Sequence, residues 1–332
     1  MKALKHSKIA GLMSAAALAV SLFASPASHA ADEFNHVVRI VVPFAPGGTS
    51  DILARIIAPK LSAAIGQTVI VENKPGAAGN LGADAVAKAP KDGHTLLLMD
   101  VGSLATAPSL FSNLTYDVEK DLAPVGMVMF SPYVLAVHPS LPVKTIEELI
   151  SYSRANPGKL AVANSGVGAT NHITALVIEK EMGLNWKNVP YKGGAAASRA
   201  VVSGESNMVI NGAVATVPFI TNNQLVGLAV SGKTRLKNLP NAPTFKDAGM
   251  PVLAQESGSP QGLLTTGGTP PAVVARLSDE LRKILAQPEM QQKIAEQGGE
   301  VQSGKAEDMK TWLHANIKSY GEIIRAANIK VE

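Results

Sequence analysis

The chain has 332 residues, 46% of them hydrophobic, no cysteine and a formal net charge of +4. The missing cysteine excludes thiol catalysis and disulfides. Only 4% of residues are aromatic and no basic stripe interleaves with them, which argues against a nucleic-acid binder.

The first thirty residues read as a leader. Lys2, Lys5 and Lys8 precede a small, apolar run over 9–24, and Ser28-His29-Ala30 places small residues where a signal peptidase reads. The run is too short and Ala-rich for a membrane span, and there is no cysteine for a lipid anchor. A signal peptide over 1–30 is expected, with an exported mature chain beginning near Ala31. Without the leader lysines the charge is about +1, so the basic balance says little about partners.

Next, the β-branched run 37–42 breaks into Pro43-Phe44-Ala45-Pro46-Gly47-Gly48-Thr49-Ser50-Asp51, and a helical pattern follows over 50–65. A strand, a tight loop and a helix N-terminus are the reading. Helix starts carry unpaired N–H groups and partial positive charge, and glycines let a ligand approach the backbone. A strand at 68–72 leads to Pro75-Gly76-Ala77-Ala78-Gly79-Asn80-Leu81-Gly82, whose glycines suit close packing, and a helix over 81–88. A strand at 95–99 leads to Asp100-Val101-Gly102-Ser103.

Strands are expected at 125–130 and 134–138, a helix at 146–155 and a strand at 161–164. Asn164-Ser165-Gly166-Val167-Gly168-Ala169-Thr170-Asn171-His172 then repeats the strand–glycine–helix pattern, with a helix over 170–181. It nearly matches a dinucleotide fingerprint, but Asn171 replaces the third glycine and no suitable acidic residue follows. A helix start offering hydroxyls and N–H groups to an anion is the preferred reading, with His172 capping or packing. A helix at 195–203 and strands at 208–211, 225–231 and 262–265 come next. Gly227 to Thr234 spells a P-loop, but its glycine lies inside the strand and Pro240 forbids the long helix required. Helices at 271–287 and 306–326 close the chain.

Strand–helix alternation implies an α/β fold with mostly parallel sheets flanked by helices. Two such units fit the length, with boundaries at Ser131-Pro132-Tyr133 and within 231–243. The expected organisation is one discontinuous unit, 31–132 with 233–332, and an inserted unit, 133–232. Enzyme signatures are absent, and the histidines are scattered without metal-ligand spacing, so no metal and no cofactor is expected.

Taken together, the loops resemble the Bug (TctC-like) family of periplasmic solute receptors, which serve tripartite tricarboxylate transporters. The carrying motifs are Pro43-Phe44-Ala45-Pro46-Gly47-Gly48 with Asp51; Glu72-Asn73-Lys74-Pro75-Gly76-Ala77-Ala78-Gly79; Leu141-Pro142-Val143-Lys144-Thr145; Asn156-Pro157-Gly158-Lys159; Ser165-Gly166-Val167-Gly168; Val189-Pro190-Tyr191-Lys192-Gly193; and Pro243-Thr244 with Ala248-Gly249. Two departures stand out. Asn207 occupies a position usually aspartate, and a usual tryptophan is missing from Ser259-Pro260-Gln261-Gly262, which would widen or re-polarise a pocket.

The resemblance implies a two-lobed periplasmic binding protein (type II-like) holding a carboxylate in its cleft by amides, hydroxyls and waters. Phe44, Gly47, Gly48, Thr49, Ser50 and Asp51 would face Ser165, Gly168 and Thr170 around one carboxylate, with Phe44 and Tyr191 as apolar walls. Gly102, Ser103, Lys192, Gly193, Gly194 and Asn211 would meet the other end of the ligand. The implied partners are a small mono-, di- or aromatic carboxylate and integral membrane transporter subunits, not nucleic acid. A sensing receptor for a membrane signalling partner, or a periplasmic hydrolase, are the alternatives.

Overall fold

The computed structural model describes residues 34–251, 257–326 and 328–329. The expected leader lies outside them. Among the described residues no helix is long and apolar enough to cross a membrane.

In chain order the elements are β1 (Val38–Val42), α1 (Thr49–Ile65), β2 (Val69–Asn73), α2 (Asn80–Ala87), β3 (Thr95–Asp100) and α3 (Val101–Leu110). Then come β4 (Leu122–Val137), α4 (Ile146–Ala155), β5 (Ala161–Asn164), α5 (Thr170–Met182), β6 (Lys187–Pro190), α6 (Gly194–Val202), β7 (Met208–Gly212), α7 (Ala213–Thr221) and β8 (Val226–Val230). The last are β9 (Gly258–Thr266), α8 (Pro271–Leu285), α9 (Pro288–Glu296), β10 (Glu300–Val301) and α10 (Ala306–Ala326).

The strands join in the order β2-β1-β3-β9-β4-β7-β5-β6, with β8 and β10 also on β4. Pairs β1–β2, β1–β3, β5–β6 and β5–β7 are parallel. Strands β9 and β4 run antiparallel to their neighbours, so the sheet is mixed. The two expected strands around residue 131 are one strand. Its first part pairs β9 as far as Pro132, and from Tyr133 it pairs β7 and β8. Proline has no N–H to give a ladder, which suits it to the changeover. The next N–H, that of Tyr133, donates to Ser231 Oγ at 2.6 Å.

Burial explains the rest. β3 is buried along its whole length, as a strand covered on both faces must be. The half of the sheet around β5 and β7 packs Leu135, Val137, Val162, Met208 and Ile210 against Leu149, Ile178 and Trp186. On its other face Val134, Ala163 and Val209 meet Ala197, Val201 and Val217. Gly227 lies within β8, as the rejection of a P-loop requires.

Candidate functional site

Five helices begin where a strand ends, and the carboxyl ends of the two parallel groups, β1 with β3 and β5 with β6 and β7, which run in opposite directions, meet around the midpoint of β4. β1 leads to α1, β3 to α3, β5 to α5, β6 to α6 and β7 to α7. In open α/β sheets ligands bind outside the carboxyl ends of the strands. Gly48, Thr49 and Ser50 from α1, Ser103 from α3, Ala169 and Asn171 from α5, and Gly194 from α6 surround one narrow cavity. Tyr133 of β4, Asn211 of β7 and Ser259 and Gln261 of β9 complete its wall with Asp100. The cavity is about 30 Å³, enough for a water, and adjoins one of about 480 Å³ that shares Phe44 and Ser165. Among the described residues no lysine or arginine lines the narrow cavity. The helix N-caps Gly48, Ala169 and Gly193 offer no side-chain cap; Ser103 Oγ takes the Thr170 N–H of α5, and the starts of α1 and α6 present first-turn N–H groups to an anion.

The first loop is held from behind. Gly47, at φ +86°, donates its N–H to Asp51 Oδ2 at 2.8 Å. The same carboxylate accepts from Arg55 Nε at 3.0 Å and from Asn73 Nδ2 at 2.9 Å. Burial alone would raise the Asp51 carboxyl, but the bonds from Arg55, Gly47 and Asn73 outweigh it and hold it below the usual range. Gly47 and Asp51 therefore shape the loop, while Gly48, Thr49 and Ser50 face the cavity. Across from it, Ala45 N–H donates to Lys192 O at 2.9 Å. Gly193 sits so close that a Cβ there would lie 2.9 Å from the Phe44 Cβ.

The loop after β5 is built around Asn171. Its Nδ2 donates to Ile210 O at 2.8 Å and to Ser165 Oγ at 3.1 Å, and its Oδ1 accepts the Ser165 N–H. Gly168 N–H donates to His172 Nδ1 at 3.1 Å, and burial lowers that imidazole to about 4, so it stays a neutral acceptor. Gly168 and Thr170 stand behind the cavity. Thr106 Oγ1 donates to Gly168 O, and Thr170 bonds Ser103.

Asp100 caps α3, its Oδ1 accepting from Gly102 N–H at 2.9 Å and Ser103 N–H at 3.4 Å. Its Oδ2 accepts from Ser259 Oγ at 2.9 Å and Tyr133 OH at 3.5 Å. Burial pushes the carboxyl up to about 7 against these hydrogen bonds.

Tyr191 lines the adjoining cavity rather than the narrow one, and its hydroxyl donates to Glu205 Oε1 at 3.0 Å. Asn211 Nδ2 donates to Gly194 O and Ser198 Oγ, both at 3.1 Å. Asn207 Oδ1 accepts the Ala161 N–H at 2.8 Å, clipping β5 outside the cavity. The structure thus brings together Phe44, Gly48, Thr49, Ser50, Ser103, Ser165 and Asn211, and sets Gly47, Asp51, Gly102, Gly168, Thr170, Tyr191 and Gly193 around them. Sequence reasoning did not single out Asp100, Tyr133, Asn171, Ser259 or Gln261 as site residues. Ser259 and Gln261 fall in the stretch that departs from the family pattern, which was their only signal.

Away from the cleft, β1–β3 pairing brings His36, Asp92 and His94 together. Their ligand-type atoms lie within 4.8 Å of one another, and the two imidazoles stack at 3.6 Å. They could hold a divalent metal, and they precede β1 and β3, at the strand ends opposite the cavity.

Residues 53–329 match the model of the tripartite tricarboxylate transporter family receptor. Three solved structures are close. The periplasmic binding protein BugD is 32% identical, with TM-score 0.84 over 89% of this chain and 99% of that one. R. palustris Rpa4515 with adipate is 33% identical, with TM-score 0.85 over 89% and 98%. MatC of Rhodopseudomonas palustris with bound malate is 28% identical, with TM-score 0.82 over 87% and 99%. The chain belongs to the tripartite tricarboxylate transporter receptor family, the Bug or TctC-like periplasmic solute-binding receptors.

Proposed function

We propose that this protein captures a small organic carboxylate in the cleft and delivers it to the integral membrane subunits of a tripartite transporter. Export by the leader over 1–30 would place it in the periplasm. Residues 31–132 with 233–332 would form one lobe and 133–232 the other, with hinges where β4 changes partners and beyond β8. The carrying observation is the convergence of helix starts at Gly48, Ala169 and Gly193 on a wall of hydroxyls and amides. Such a wall binds an anion through N–H groups and bridging waters without a fixed cation. The malate and adipate held by relatives are ligands of this kind. The receptor itself performs no reaction.

The test is a thermal-shift screen against mono-, di- and tricarboxylates, aliphatic and aromatic, with and without an amino group, confirmed by calorimetry. A ligand of the folded state raises the melting temperature by mass action. A flat response across the panel by well-folded protein would sink this reading.

A further inference from the structure

The polar wall of the cleft has a direction. If Asp100 is ionised it can only accept, so the hydrogen between it and Ser259 belongs to Ser259. Ser259 Oγ in turn accepts from Gln261 Nε2 at 2.7 Å, and Gln261 Oε1 accepts from Ser50 Oγ at 2.7 Å. Three hydrogens in sequence therefore point along the wall toward the Asp100 carboxylate. The sequence of donors ends on Asp100, while the helix starts that follow Gly48, Ala169 and Gly193, none capped by its own N-cap side chain, lie elsewhere around the cavity.

A second observation makes that asymmetry costly. Asp100 is 8% exposed, and among the described residues the groups acting on its carboxyl are hydroxyls and backbone N–H groups, with no lysine, arginine or histidine. A buried carboxylate without a counter-ion is unfavourable, and its neutralisation by a bound cation is correspondingly favourable. A second carboxylate brought to the same point would be repelled. The raised carboxyl, about 7, is the same strain seen from the proton's side.

We propose that the cleft takes an amino carboxylate, its ammonium against Asp100 Oδ2 with Ser259 and Tyr133 beside it, and its carboxylate on the helix starts. The proposal rests on the carboxylate-receptor reading and narrows its substrate class. Asp100 is the residue that sets the preference for an amine over a second acid.

The test pairs each of the twenty standard amino acids, and 4-aminobutyrate, with its des-amino counterpart: succinate for aspartate, glutarate for glutamate, butyrate for 4-aminobutyrate. Affinities are measured by calorimetry on protein produced from the full chain, and on Asp100→Asn, whose amide keeps the α3 cap. Melting curves establish that the variant folds. The expected result is an amino carboxylate bound at least tenfold more tightly than its des-amino partner, with the preference abolished in Asp100→Asn. Equal or tighter binding of a dicarboxylate, or a preference that survives Asp100→Asn, overturns the proposal and leaves the receptor reading standing. So does dicarboxylate binding with uptake of one proton, measured in buffers of different ionisation enthalpy, because Asp100 is then neutralised rather than paired. No binding by any member of either series overturns both.

Discussion

Ser103 on α3 and Thr170 on α5 lock to each other across the cleft wall: their hydroxyl oxygens lie 3.1 Å apart, and Ser103 Oγ also accepts the Thr170 N–H at 3.2 Å. Both residues are buried. Ser103→Ala therefore leaves a buried N–H and a buried hydroxyl short of a partner. The expected cost is on the order of 1–3 kcal/mol of stability, together with weaker ligand binding. Urea unfolding reads the first and calorimetry the second. Wild-type values for both would show that the lock does not form in solution.

Two glycines beside the cleft predict opposite responses. Gly48 has φ −83°, and a Cβ there would find its nearest neighbours at 3.7 Å and beyond. Gly48→Ala should fold with stability near wild type, while Gly48→Leu should fold but block the cavity and abolish carboxylate binding. Gly193 has φ +112°, and its Cβ would press on Phe44. Gly193→Ala should lose roughly 1–3 kcal/mol from backbone strain and further stability from the clash. Melting temperatures beside ligand titrations separate the two effects. Unchanged affinity in Gly48→Leu would remove the α1 start from the site.

Asp100 also predicts a pH dependence. Its carboxyl is raised in the folded chain, so between the ordinary carboxylate range and about pH 7 the folded state keeps a proton that the unfolded state has released. Stability contributed at this position falls as pH rises through that window and levels above it. His172, lowered to about 4, gives the opposite slope between pH 4 and 6.5. Tyr133 from β4 and Tyr320 from α10, both raised, stay neutral throughout. Asp100→Asn removes only the first contribution. Relative to wild type it should gain stability from pH 4 to pH 7, on the order of 2–4 kcal/mol, and hold a plateau above. A difference independent of pH would mean that Asp100 titrates as an ordinary carboxyl.

Legibility in the sequence followed local chemistry. The helix Ile146–Ala155 has a capping Thr145, whose side chain accepts the Glu148 N–H, and its bounds are those expected. Helix α3 went unforeseen because Gly102, Thr106 and Pro108 are poor helix formers, and burial of nearly its whole length overrides that tendency. Helix α7, carrying Pro218 and β-branched residues, escaped for the same reason. The loops after β1, β3 and β5 were readable as ligand-facing because each joins an apolar strand to a helix start through glycine. The individual wall residues were not, since Asp100, Tyr133 and Gln261 come from β3, β4 and β9 and meet only in the sheet order. Asp51, expected from the sequence to face the ligand, is instead the brace of the first loop through its bonds to Gly47, Arg55 and Asn73.

That brace makes the last prediction. Asp51 holds its charge at neutral pH through bonds that the unfolded chain lacks, so its contribution is full above the ordinary carboxylate range and fades as pH falls below it. Asp51→Ala removes the acceptor from Gly47 N–H, Arg55 and Asn73 together and should cost about 1–3 kcal/mol at pH 7, less at pH 3. Asp51→Asn keeps one acceptor oxygen but no charge for Arg55, and should fall between. Because Asp51 does not line the cavity, its effect on binding must pass through the placement of Gly48, Thr49 and Ser50. Calorimetry at pH 7 should show affinity falling with stability across the two variants. Stability lost at unchanged affinity would mean that the N–H groups of the α1 start do not carry the ligand.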